Sequence, residues 1–277
     1  MTTLTLTKHH GLGNDFLVAF HPGVGDLVEL AKRLCDRRRG IGADGLLVAE
    51  DEDGYAARMT LYNADGSRAE MSGNGIRCFA QALASRNGDL SDQRILTDVG
   101  ERLVVLEATA DPATITARVE MGDVTTLDEP VGWSALGCHP DRPVAHLSLG
   151  NPHSVVGVDE VAAVDLVHLG SQVPHVNLEI VEPGPEPNSI TMRVHERGAG
   201  ITEACGTGAC AAAYAARSWG LVARSATDVV VHMDGGTATV SFDDDAPGRA
   251  VLTGPATFVA TIQVEIETTT DGTEQVA

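Results

Sequence analysis

The sequence predicts an α+β fold made of two related halves, and three observations carry that prediction. Short stretches of alternating apolar residues, the mark of half-buried strands, are interleaved irregularly with segments of helical periodicity. Two motifs recur at nearly constant separation: Leu12-Gly13-Asn14 returns as Leu149-Gly150-Asn151, 137 positions later, and Ser72-Gly73-Asn74-Gly75 returns as Cys205-Gly206-Thr207-Gly208, 133 positions later. One short match would be chance, whereas two in the same order point to duplication. The length, 277 residues, suits about two domains.

Taken in order, alternation predicts strands near 3–8, 55–62, 101–107 and 113–120. Between the first two, Leu27, Leu30, Ala31 and Leu34 form one apolar face of a helix over 26–37, with Cys35 on its core side. A second helix is expected over 74–86, ended by Asn87-Gly88, a pair suited to the left-handed backbone that stops helices. Its counterpart over 207–219 is rich in Ala and stops at Gly220. A helix small on every side can be enclosed, so each half is expected to wrap a sheet around one central helix. The join is placed in the Pro- and Gly-containing stretch 122–143. This gives an N-terminal half of 1–125 plus 264–277 carrying Ser72 and a C-terminal half of 126–263 carrying Cys205. The polar tail 267–277 is expected to fray.

A formal charge of −20 argues against nucleic acid or an anionic membrane as partner. No basic segment followed by an apolar one opens the chain, and no apolar run approaches the roughly 18 residues needed to span a bilayer. A soluble cytoplasmic protein is expected. The five cysteines, at 35, 78, 138, 205 and 210, form no CxxC pair, as suits a reducing compartment. The histidines show no HxxxH or HExxH spacing, so no metal is expected.

The chemistry concentrates at the duplicated helix starts. A Ser or Cys just before Gly-x-Gly and a helix sits where backbone NH groups are unpaired and the helix dipole is positive. Anions bind there, and the field favours a thiolate. Cys205 is therefore a candidate base, and the NH groups of Gly206 and Thr207 are candidate carboxylate receptors. Ser72 read alone is an ordinary N-cap, and Cys78 and Cys210 read as buried small residues. Upstream of each helix lies a polar patch, Asn63-Ala64-Asp65-Gly66 and Glu196-Arg197-Gly198, again 133 positions apart.

With these motifs in place the chain resembles the diaminopimelate epimerases, within the pyridoxal-phosphate-independent amino-acid racemases. The resemblance runs over essentially the whole chain. It is carried by Lys8-His9-His10-Gly11-Leu12-Gly13-Asn14-Asp15-Phe16, Asn63-Ala64-Asp65-Gly66-Ser67, Gly73-Asn74-Gly75-Ile76-Arg77-Cys78, Gly150-Asn151-Pro152-His153, and Glu196-Arg197-Gly198-Ala199-Gly200 leading to Ala204-Cys205-Gly206-Thr207-Gly208. It implies two pseudo-symmetric domains, each a mostly antiparallel curled sheet around a central helix, with no cofactor. It also implies a homodimer and a two-base inversion of one α-carbon of diaminopimelate. By resemblance Cys205 is one base. The α-carboxylate would be held by the NH groups of Gly73, Asn74, Gly206 and Thr207. The distal amino-acid head would meet Asn14, Asn63, Asn151, Asn177, Glu196 and Arg197, and His153 and Glu196 would tune the bases.

One departure matters: Ser72 stands where the family usually has its second catalytic cysteine. A hydroxyl cannot rest as an anion at neutral pH, though it can donate a proton. A natural variant that still epimerises, an engineered replacement, and a relative with shifted chemistry all fit the sequence. The alternatives to epimerisation of diaminopimelate are therefore another racemase or dehydratase of the group, or a silent amino-acid-binding protein. Smaller departures are Gly45 for Gln, Ser154 for Cys and Ile201 for Glu.

Overall fold

A computed structural model of the chain describes residues 2–243 and 246–266; the expected frayed tail 267–277 lies outside them. The first half runs β1 (Thr2–Gly11), β2 (Asn14–Phe20), α1 (Leu27–Cys35), β3 (Gly45–Glu50), β4 (Ala57–Asn63), β5 (Arg68–Ala69), α2 (Gly73–Asn87), β6 (Gln93–Thr97), β7 (Gly100–Ala108), β8 (Thr114–Asp123) and β9 (Thr125–Thr126). The second runs β10 (Val144–Ser148), β11 (Pro152–Gly157), α3 (Leu166–Gln172), β12 (Asn177–Pro183), β13 (Ser189–Glu196), β14 (Gly200–Thr202), α4 (Gly206–Trp219), β15 (Asp228–Met233), β16 (Gly236–Asp243) and β17 (Ala246–Ile266). Between them, 127–143 holds only a short 3-10 turn, Trp133–Leu136.

The pairing senses repeat as faithfully as the order. β2 is antiparallel to β1 and parallel to β3, β4 is antiparallel to β3 and β5 but parallel to β6, and β6, β7 and β8 form a meander. The second half repeats this with β10 to β17: β11 parallel to β12, β13 parallel to β15, all other neighbours antiparallel. Each short parallel step is bridged by a helix, as parallel strands require. The last strand joins the halves. Its first part pairs with β16 and β8, and Thr257–Ile266 lies along β1.

Both expected central helices form, within a residue or so of their predicted limits. The φ values of Gly88 and Gly220, 77° and 79°, supply the left-handed stops. α2 touches β1, β2, β4, β7, β8 and β17, and α4 touches β10 to β13 and β15 to β17, so each helix is ringed by strands. The alanines of α4, Ala209, Ala211 to Ala213, Ala215 and Ala216, are all fully buried. Small side chains on every face let the surrounding sheet close. The sheet's other face is also covered in the first half: Leu30 and Leu34 of α1 pack on Leu17, Leu46 and Val48, while Phe16, Val18 and Leu47 face the α2 side. Among the described residues no helix is long and apolar enough to cross a membrane.

Candidate active site

The duplication brings the two helix starts face to face. Ser72 has extended backbone (φ −139°, ψ 123°), and its Oγ accepts from Gly75 N at 3.0 Å. Cys205 has nearly the same backbone (φ −128°, ψ 114°), and its Sγ accepts from Gly208 N at 3.4 Å. Each side chain thus caps its own helix, while the remaining first-turn NH groups stay free for a ligand. The helices meet at their first residues. A Cβ on Gly206 would fall 2.8 Å from Gly73 Cα, and one on Gly73 would fall 3.0 Å from Gly206 Cα. Only glycine permits this approach, which aims two positive helix ends at one place.

That place opens into a cleft of ≈ 790 Å³. Ser72, Gly73, Asn74, Cys205, Gly206 and Thr207 line it, together with Asn14, Asn63, Asn151, Asn177, Glu196 and Arg197. His153 does not reach the surface of the cleft. It is fully buried behind it, with Nε2 3.0 Å from Asn151 Oδ1 and Nδ1 2.6 Å from Glu179 Oε1.

The amides around the cleft are oriented by partners that the sequence reading did not single out. Asp44 Oδ2 accepts from Asn14 Nδ2 at 2.7 Å, which turns Asn14 Oδ1 toward Asn74 Nδ2, 3.1 Å away. Asn74 Nδ2 also donates to Ala204 O at 2.9 Å and so ties the two halves together. Beneath it the buried Arg77 donates to Asn74 Oδ1 at 2.7 Å, and burial lowers its pKa to about 10. Asn74 therefore has only its backbone NH left to offer. Asn177 is similarly engaged, accepting from Arg197 N at 2.9 Å and donating to Pro152 O at 3.2 Å, so that it positions the Glu196-Arg197 turn. Arg197 itself faces Glu70 across 3.6 Å, with both side chains about half exposed. Such a pair is weak, so an incoming carboxylate can take the guanidinium over.

Electrostatics in the cleft differ from the field expected at a helix start. Burial, then Glu196, then Glu179 push the Cys205 thiol well above its ordinary value, outweighing the Thr207 hydroxyl and the Gly208 NH. Glu196 is raised by burial, opposed by the Thr202 hydroxyl and the neighbouring Cys205 thiol, and Glu179 is raised by burial as well. A cation entering beside these acids would favour their ionised forms. Cys78 and Cys210 behave as core residues, buried and pushed up to about 12. Gly45 is fixed by space: a Cβ there would lie 2.8 Å from Tyr62 O.

Comparison with known proteins places this geometry in a family. The sequence model described as diaminopimelate epimerase matches residues 6–127 and 146–259. The chain belongs to the diaminopimelate epimerase family. Relatives named diaminopimelate epimerase include one from Acidiphilium cryptum, 38% identical over 91% of this chain and 93% of its own, and one from Desulfitobacterium hafniense, 36% identical over 92% and 96%. Solved structures similar to this one include a Bacillus anthracis phenazine biosynthesis protein of the PhzF family, with a TM-score of 0.74 at 14% identity, covering 96% of this chain and all of that one. A hydroxyproline epimerase from Agrobacterium vitis has a TM-score of 0.70 at 15% identity, covering 95% and 92%. At those identities the likeness extends the diaminopimelate epimerase fold, not its chemistry, to these neighbours.

Proposed function

We propose that the protein interconverts LL- and meso-diaminopimelate by moving the proton of one α-carbon, with Cys205 and Ser72 acting from opposite walls. The observation that carries this reading is the pair of helix starts that meet at Gly73 and Gly206, each capped by the side chain that would do the chemistry. The α-carboxylate would sit on the NH groups of Gly73, Asn74, Gly206 and Thr207. Two helix ends there stabilise the charge that develops as the α-proton leaves, the main difficulty of a reaction without pyridoxal phosphate. The second amino-acid head would take its carboxylate to Arg197 and its ammonium to Glu196 and the carbonyls of Asn14 and Asn63, with Asn151 and Asn177 holding the walls. His153 would orient Asn151 from behind.

Cys205, once its proton has passed to solvent or to a neighbouring carboxylate, removes the α-proton. Ser72 then delivers its hydroxyl proton to the other face of the carbanion, and the alkoxide left behind takes one from water in the cleft. An α-carbanion is far more basic than an alkoxide, so this delivery is downhill. The reverse reaction runs the same steps backwards from the Ser72 alkoxide, and because the equilibrium between the isomers fixes the ratio of kcat/KM in the two directions, the hydroxyl slows both. We further propose that the protein is cytoplasmic and homodimeric. The chain would return to the N-terminal half near residue 257, where β17 meets β1, earlier than the expected 264.

The test is to incubate purified protein separately with LL- and with meso-diaminopimelate and follow the isomers by chiral chromatography. Both should reach one common mixture. Unchanged isomers in both incubations would reject the reading in favour of another substrate or a binding protein.

A further inference from the structure

Behind Cys205 runs a polar chain that reaches the sulfur without a break. Glu179, on β12, places Oε1 2.6 Å from His153 Nδ1, and neither side chain has any exposed surface. His153 Nε2 lies 3.0 Å from Asn151 Oδ1, Asn151 Nδ2 donates to Thr207 Oγ1 at 3.2 Å, and Thr207 Oγ1 lies 3.6 Å from Cys205 Sγ. Each link fixes the next. Asn151 Oδ1 can only accept, so His153 carries a proton on Nε2 and faces Glu179 across one further shared proton. Asn151 is thereby held with its NH2 toward Thr207. The Thr207 hydroxyl accepts from that NH2 and keeps its own proton for the sulfur. A thiolate can only accept, so the chain supports Cys205 in the state in which it acts as a base.

The other half has no such chain. Phe16 pairs with Gly45 as His153 pairs with Asn177, and Leu47 follows Gly45 as Glu179 follows Asn177. The equivalence extends to contact with the helix starts. A Cβ on Gly75 would lie 3.5 Å from Leu47 Cδ2, whereas one on Gly208 would lie 2.7 Å from Glu179 Oε1. Ser72 is thus backed by a hydrocarbon where Cys205 is backed by a carboxyl. Stability does not account for that acid. A leucine fits the equivalent place, and Glu179 Oε2 is buried with no hydrogen-bond partner among the described residues, which costs free energy.

We propose that Glu179 is a positioning residue for Cys205, acting through His153, Asn151 and Thr207 to keep a hydroxyl donor aimed at the sulfur. The mechanistic part rests on the epimerase reading; the effect on the thiol does not. The ionisable groups acting on Cys205 from the strands packed against it are Glu196 on β13 and Glu179 on β12, and His153 on β11 stands behind Asn151.

Two variants of the full chain test this. Glu179→Leu copies the other half and breaks the chain, whereas Glu179→Gln keeps a donor for His153 Nδ1 in the same shape. Cys205 is alkylated with iodoacetamide at fixed pH and read by peptide mass spectrometry, and kcat and KM for diaminopimelate are measured below the Tm of each variant. Glu179→Leu should slow alkylation and lower kcat by about tenfold or more with little change in KM, the lost hydroxyl donor outweighing relief from the Glu179 charge that pushes the thiol up. Glu179→Gln removes that charge and keeps the chain, so it should restore most of kcat and alkylate at least as fast as wild type. Equal losses in the two variants, or a Glu179→Leu protein that alkylates as fast as wild type, would overturn the proposal. A wild type that turns over no diaminopimelate would mean that the substrate reading has failed, and the alkylation rates would still decide this one.

Discussion

Replacing Gly206 with Ala adds one methyl group at the point where the two helices meet. That Cβ would lie 2.8 Å from Gly73 Cα, 2.9 Å from Leu252 Cδ2 and 3.1 Å from the Gly73 carbonyl carbon. Carbon atoms are comfortable at about 3.5–4.0 Å, so the helix starts must part by about 1 Å. Overpacking of this kind costs about 1–3 kcal/mol, and the helical preference of Ala over Gly returns up to about 1 kcal/mol. The net loss of stability is therefore small. A misplacement of about 1 Å at the reacting centre, in contrast, costs about a hundredfold in rate, equivalent to about 2.7 kcal/mol of barrier. Calorimetry should show a Tm lowered by a few degrees, and isomer interconversion should show kcat/KM down about a hundredfold. A Gly206→Ala protein with wild-type kcat/KM would refute the claim that the paired helix ends set the carboxylate site.

Other outcomes follow from the same geometry. Cys205→Ala should remove α-proton exchange to background while leaving the circular dichroism spectrum and Tm near wild type. Ser72→Cys should raise kcat, since a thiol in the same capping position replaces a hydroxyl with no base beside it; an unchanged kcat would mean that the Leu47 surroundings have been fitted to the hydroxyl. Glu179→Gln should also change how stability varies with pH. Burial raises the native pKa of Glu179 above that of an unfolded Glu, so the native state binds the extra proton and stability falls as pH rises from the unfolded value through the native one. Relative to wild type, the variant should gain Tm at pH 7.5 and gain nothing near pH 4, where both native and unfolded wild type keep much of that proton.

The elements read from the sequence were those with a clear local mark, alternation in four strands and an apolar face or a stopped end in the helices; β6, β13, β15 and β16 also alternate in burial but were not read. The strands at β1, β4, β7 and β8 alternate and were found, as were α1 and the capped helices α2 and α4. β2, β3 and β12 are buried along nearly their whole length, because a helix lies on each side of the sheet. Their apolar runs carry no period to read. Glu179 was hidden for the same reason: in Asn177-Leu178-Glu179-Ile180-Val181-Glu182 it reads as the outward residue of a half-exposed strand, yet it points at Gly208 and the back of Cys205. The duplicated caps were readable because a turn leaves a local motif. Arg77 lies one helical turn from Asn74 on α2 and its contact is local, whereas Asp44, which orients Asn14, depends on a contact that only the fold creates. The same holds for the acidity of Cys205, where burial and two carboxyls outweigh the helix end.

The most direct test of two opposed proton carriers is proton NMR of the wild-type protein with LL-diaminopimelate in deuterated water, followed from the earliest turnover. The account predicts meso product carrying deuterium at the inverted α-carbon while the remaining LL substrate is still protiated. LL substrate that gains deuterium with no meso product would contradict it, leaving Cys205 active alone and Ser72 without a part in the reaction.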